Sequence, residues 1–143
     1  LIMTTLILMC FAFVVEISAE SNLGSAIFEN YLKIGAALSQ DKHSDAAKHA
    51  KSLKTTLSDS TNQKAKDELL PSIENLSSSK DLGSARKYYE QLSLKLNAIK
   101  KDLAIEASEY YCPMVKKSWL QKDSKIMNPY VGKDMASCGE KKS

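Results

Sequence analysis

Apolar residues recur every three to four positions through residues 25–107 of this 143-residue chain, a period that restricts it to packed helices. Ile27, Tyr31, Ile34 and Leu38 make the first stripe, widened by Phe28 and Leu32. Residues 40–44 are polar and interrupt it. The Ser44 hydroxyl is suited to accept an orphan amide and so to cap the next helix. Ala46, Ala47, Ala50, Leu53 and Leu57 carry the second stripe. After a turn at 59–62, a third runs through 63–76 with Ala65, Leu69, Ile73 and Leu76. Pro71 lies inside it and has no amide hydrogen, so a kink or a break is expected there. Ser77, Ser78 and Ser79 form the next turn. Asp81 opens the last and longest helix, striped by Ala85, Tyr88 or Tyr89, Leu92, Leu96, Ile99 and Leu103. Four helices joined by short turns predict an all-α fold, an up-down four-helix bundle. No strand-like alternation and no internal repeat stands out.

The two ends of the chain differ from this middle. Residues 1–15 are almost wholly apolar and contain no Lys, Arg or acid. The run is shorter than the roughly 20 residues a membrane-spanning helix needs. It leads into Glu16-Ile17-Ser18-Ala19 and reads as an export leader cleaved after Ala19, with an uncleaved membrane anchor as the alternative. The product would then be periplasmic or otherwise exported to a bacterial envelope, with no membrane contact once the leader is removed. The expected organisation is a leader at 1–19, a helical bundle at 20–110 and a Cys/Met segment of the same domain at 111–143. That segment is expected to be irregular and to pack back on the bundle through Tyr111, Trp119 and Tyr130. All 20 Lys and Arg lie beyond the leader, with all but one of the 17 acids. The basic surplus is scattered, its densest pairs being Lys100-Lys101, Lys116-Lys117 and Lys141-Lys142. Nucleic-acid binders concentrate such charge on one face, so nucleic acid is set aside as a partner.

Of the three cysteines, Cys10 falls in the leader, which leaves Cys112 and Cys138. Each has a methionine close by, in Cys112-Pro113-Met114 and Met135-Ala136-Ser137-Cys138. Two readings compete. Cys112, Met114, Met135 and Cys138 could supply the sulfur ligands of a soft monovalent ion, Cu(I) or Ag(I). Pro113 limits how far its neighbours splay, and a helical turn would put Met135 and Cys138 on one face. Alternatively, Cys112 and Cys138 form a disulfide and the methionines are ordinary core residues. Zinc fits less well, because thioether is a poor ligand for it. Lys116, Lys117 and Lys133 either offset thiolate charge and lower the thiol pKa or form a solvated surface. Trp119 either caps the ion with its ring face or anchors the tail on the core, and Tyr111 and Tyr130 read as structural. His49 is a further ligand candidate if the tail folds onto the second helix, while His43 lies in the polar turn. No nucleophile motif, phosphate-binding glycine loop or dinucleotide fingerprint is present, so a non-enzymatic protein is expected.

The tail reads Tyr111-Cys112-Pro113-Met114, Trp119-Leu120, Ile126-Met127-Asn128-Pro129-Tyr130, Gly132 and Met135-Ala136-Ser137-Cys138-Gly139. This order resembles a bacterial family known as domain of unknown function 3347. The helical part is similar more loosely, through residues 31–38 and through Arg86, Tyr89, Leu92 and Ser93. That family occurs in exported proteins and at the ends of metal-efflux adaptors. The resemblance therefore implies copper or silver handling, with an efflux-system or metal-transfer protein as partner. The family commonly has a basic residue where Met127 stands, so no metal role is carried onto Met127. It also has a longer, Gly-rich stretch than the one here between Met114 and Trp119. The competing reading stays open: a helical interaction domain whose tail is pinned by a Cys112–Cys138 disulfide.

Overall fold

A computed structural model describes residues 2–143, with side chains described at residue 19 and from residue 21 onward. The chain forms α1 (Ile2–Ser39), α2 (His43–Ser58), α3 (Gln63–Ser77) and α4 (Leu82–Ile99), then β1 (Ser108–Cys112), β2 (Lys117–Gln121) and β3 (Glu140–Lys141). A short 3-10 turn at Lys133–Met135 precedes β3. The expectation of an export leader falls on side chains outside the described residues. Among the described residues no helix is long and apolar enough to cross a membrane.

The four stripes turn inward as the period requires. Ile27, Ile34, Leu38, Leu53, Leu69, Ile73, Leu92 and Leu96 are all fully buried. Each such side chain contributes about 2 kcal/mol through area removed from water. Asn62 caps α3 by accepting from the Ala65 amide at 2.9 Å, and Asp81 caps α4 by accepting from Ser84 at 2.8 Å. The expected Ser44 cap is not made: Lys42 holds that position and has no side-chain bond to the helix. α3 runs unbroken through Pro71, whose position is exposed while Leu69, Ser72 and Ile73 are buried. The helix keeps its apolar face in the core at the cost of one amide bond on its wet side.

The tail corrects the all-α, irregular expectation. It builds a three-stranded antiparallel sheet in the order β2-β1-β3. In the β1–β2 hairpin Tyr110 faces Trp119 and Cys112 faces Lys117. β3 then pairs with the other edge of β1, Tyr111 opposite Glu140. β1 begins at Ser108, so it straddles the expected boundary at residue 110. The β1–β2 strands are five residues long and β3 only two, too short for alternation to register as a period.

β2 lies against the bundle, and aromatic residues join the two. Tyr31 stacks on Tyr89 with ring centroids 4.8 Å apart, and the Tyr31 hydroxyl meets Ser93 at 2.8 Å. The same hydroxyl accepts the Leu120 amide of β2 at 2.9 Å. Burial raises the pKa of Tyr31, and that of Tyr89 well above its ordinary value, so both stay neutral.

Candidate functional site

Cys112 ends β1 and is fully buried. The chain reverses over 113–116, where Lys116 takes a left-handed φ of 55° and its amide donates to the Cys112 carbonyl at 2.8 Å. This turn aims the amides of Val115 and Met114 at the Cys112 sulfur. Cys138 arrives from the far side. The 3-10 turn delivers it, its amide donating to the Met135 carbonyl at 2.9 Å. The two sulfurs lie 3.2 Å apart, as free thiols.

Asn128 fixes this meeting. It is fully buried, its Nδ2 donates to the Cys138 carbonyl at 2.8 Å and its Oδ1 accepts the Tyr130 amide at 2.9 Å. Its own amide donates to the Ala136 carbonyl at 2.7 Å. One asparagine thus ties both arms of the tail together.

Arg86 holds the same loop to the bundle. Its guanidinium donates to the carbonyls of Pro129, Leu38 and Val131 at 2.9, 3.0 and 3.0 Å, and to Asp41 at 2.7 Å. The other Asp41 oxygen accepts the Lys133 amide at 3.0 Å. Those hydrogen bonds hold the Asp41 carboxyl below the usual carboxylate range, led by the Lys133 amide.

The thiols differ in acidity. Burial acts to raise the Cys112 pKa, but the Val115 amide, the Cys138 thiol, the Met114 amide and Asn128 outweigh it, and the value falls. Cys138 moves the other way, chiefly through its hydrogen bond with Cys112. Of the two thiols, Cys112 is therefore the one that ionises first. The lowering at Cys112 comes from hydrogen bonds. Lys117, one of the lysines expected to assist, is paired with Glu90 at 2.6 Å.

A sulfur separation of 3.2 Å lies between two chemical end points. A disulfide requires about 2.05 Å. Two thiolates on one tetrahedral ion with metal–sulfur bonds of about 2.3 Å stand roughly 3.7 Å apart. A disulfide needs the sulfurs to close by about 1.2 Å and the metal-bridged state needs them to open by about 0.5 Å.

Core packing does not account for the methionines. Met114 is 52 % exposed and Met135 47 % exposed, and with Leu94 they are the large apolar side chains that face solvent among the described residues. The expectation of two core methionines beside a disulfide is overturned on this point. Trp119 is a core anchor: it is 2 % exposed and its indole N–H donates to Gln121 at 2.7 Å. It stacks on Tyr110 and meets Tyr130 edge-on. Gly139, next to Cys138, has φ +140°, and a Cβ there would fall 2.6 Å from the Trp119 ring. Only glycine suits both demands.

His49 lies half-buried on α2, and His43 bonds to Ser79 at 3.1 Å. Among the described residues no three His, Cys, Asp or Glu side chains gather at one point, so neither histidine completes a hard or borderline donor set with the thiols. The residues that hold the site together, Asn128, Arg86 and Asp41, carry no sulfur. One signal for them was present: Arg86 is the single arginine among 20 basic residues. A planar fork reaching several acceptors is what lysine cannot replace.

The profile of the family described as protein of unknown function (DUF3347) matches residues 27–107. The chain belongs to this family. The match spans α1 from Ile27 onward, the other three helices and the linker to β1, and ends just before Ser108. In this DUF3347 chain, therefore, the helical bundle carries the family assignment and the thiol pair lies just outside the matched residues. No curated protein matches the chain. No solved structure matches it.

Proposed function

We propose that this DUF3347 protein is an exported, non-enzymatic module that captures Cu(I) or Ag(I) and passes it to an efflux-system or metal-transfer partner. The observation that carries the reading is the convergence of Cys112 and Cys138 at 3.2 Å with exposed thioethers at Met114 and Met135. A soft closed-shell ion prefers thiolate and thioether sulfur and accepts low coordination numbers. Cys112, its thiol pKa lowered by hydrogen bonds, and Cys138 each release a proton as the ion binds. Met114 and Met135, free of core packing, are the expected additional ligands. A site reached by solvent-facing thioethers suits transfer better than permanent storage, because ligands can be exchanged one at a time.

An anaerobic competition titration of the reduced protein against a moderate Cu(I) chelator tests this. One equivalent is expected to bind, with binding lost in Cys112→Ser and weakened in Met135→Leu. Failure to compete with the chelator overturns the reading.

The 3.2 Å separation also favours a second state, a Cys112–Cys138 disulfide. It would close a loop of about 27 residues and stabilise by roughly 3.5 kcal/mol in the chain-entropy model. In that case the tail serves as a pinned interaction surface. A thiol count on native material, with and without reductant, separates the two: two free thiols support the metal reading, and none, with no metal uptake after reduction, supports the disulfide.

A further inference from the structure

A cleft of about 250 Å³ opens between the C-terminal half of α1 and the segment following β2, on a different part of the tail from the thiol pair. Tyr89, Trp119 and Leu120 make its buried floor, with Leu32, Ala36 and Met127 on its walls. Lys33, Lys122, Asp123 and Lys125 stand around the mouth, all exposed. None of those four makes a side-chain ion pair among the described residues. Three cations against one acid leave the mouth positive.

The cleft is preformed by Gln121. Its Oε1 accepts from the Trp119 indole at 2.7 Å and from the Met127 amide at 2.8 Å. Its Nε2 donates to the carbonyls of Asp123 at 3.0 Å and Lys125 at 2.9 Å. One buried side chain thereby folds the segment that presents Lys122 and Lys125. With the amide of Gln121 and the N–H of Trp119 both occupied, the interior offers mainly apolar contact.

We infer that this cleft binds a small amphiphile with an apolar body and a carboxylate head. An apolar cavity of about 150 Å³ holds benzene, and a volume of 250 Å³ corresponds to about eight heavy atoms at roughly 30 Å³ each. The body rests on Tyr89 and Trp119, and the carboxylate lies at the mouth against Lys122, Lys125 and Lys33. A preformed apolar pocket with a few convergent charges is the usual build of a small-molecule site.

Trp119 is the one tryptophan in the chain and lines the floor, so its emission reports occupancy. The test titrates the full reduced chain with octanoate, and in parallel with octan-1-ol and octylamine. Octanoate is expected to change Trp119 emission saturably, the alcohol to bind more weakly and the amine not at all. A Lys122→Ala/Lys125→Ala double variant should weaken octanoate about fivefold, the scale of exposed ion pairs. Ala36→Leu, which fills the cleft, should abolish the response while leaving the helical circular dichroism unchanged. Equal responses to all three head groups, no saturable response to octanoate, or undiminished binding in the double lysine variant would overturn the inference.

Discussion

The bundle and the tail are held by different physics. In the bundle, position follows from apolar spacing: Leu53, Leu69 and Leu92 are buried because their stripes must be. In the tail, position follows from a few multivalent polar side chains. Gln121 shapes the segment after β2, Asn128 joins the two cysteine arms, and Arg86 with Asp41 fastens the loop to α1 and α4. Most of the bundle's core positions ask for an apolar side chain of the right size, Tyr31 and Ser93 being exceptions that hydrogen-bond. The tail depends on particular donors and acceptors at particular atoms.

The largest expected effect lies in the bundle. Leu69 is fully buried, so Leu69→Ala should lower stability by about 3 kcal/mol in urea unfolding, within the usual range for such cavities. The loss should be global, with every probe moving together. A loss confined to the tail would break the comparison.

Arg86→Lys should have a smaller and more local effect. It keeps the charge but cannot serve three carbonyls and Asp41 at once. We expect about 2 kcal/mol of destabilisation, since several acceptors lose their donor. Hydrogen exchange should show faster exchange at the Lys133 and Met135 amides, with the α2 and α3 amides unchanged. Uniform acceleration through the bundle would show that the latch is not separate from the scaffold.

The smallest effect is the pH response of the thiol pair. Cys112 has a lowered pKa in the folded state. Its contribution is absent below that folded value, grows as pH rises and is complete above the ordinary thiol pKa of about 8.5. Cys138 has a raised pKa, so its contribution is lost as pH climbs past the ordinary value toward its folded one. Stability of the reduced protein, measured relative to a Cys112→Ser/Cys138→Ser variant, should therefore rise toward mildly alkaline pH and fall beyond it. A flat difference would mean that the thiols are not coupled.

The same contrast explains what was legible in the sequence. The four stripes named the buried residues of α1 to α4 almost position for position, because a period of 3.6 is written locally. Asp81 was readable as a cap for the same reason. Ser44 does not cap because α2 begins before it, at His43, with Lys42 in the capping position. The sheet was missed because its strands are only five, five and two residues long, and because β3 pairs with β1 across about thirty residues, a register set by tertiary contacts. Cys112 and Cys138 stood out in the sequence as either metal ligands or a disulfide, and their sulfurs lie 3.2 Å apart. Their support by Asn128 was hidden, since a buried asparagine in a loop looks the same in sequence as a solvated one.

We propose the bundle as scaffold and the thiol-bearing tail as the place where a soft ion binds. The most direct measurement adds one equivalent of Ag(I), which does not change oxidation state, to isotope-labelled reduced protein and follows backbone amide resonances. The account predicts shifts centred on residues 112–115 and 135–139, absent in Cys112→Ser, with α2 and α3 unmoved. No shifts in the tail, or shifts centred on the helices, would contradict it.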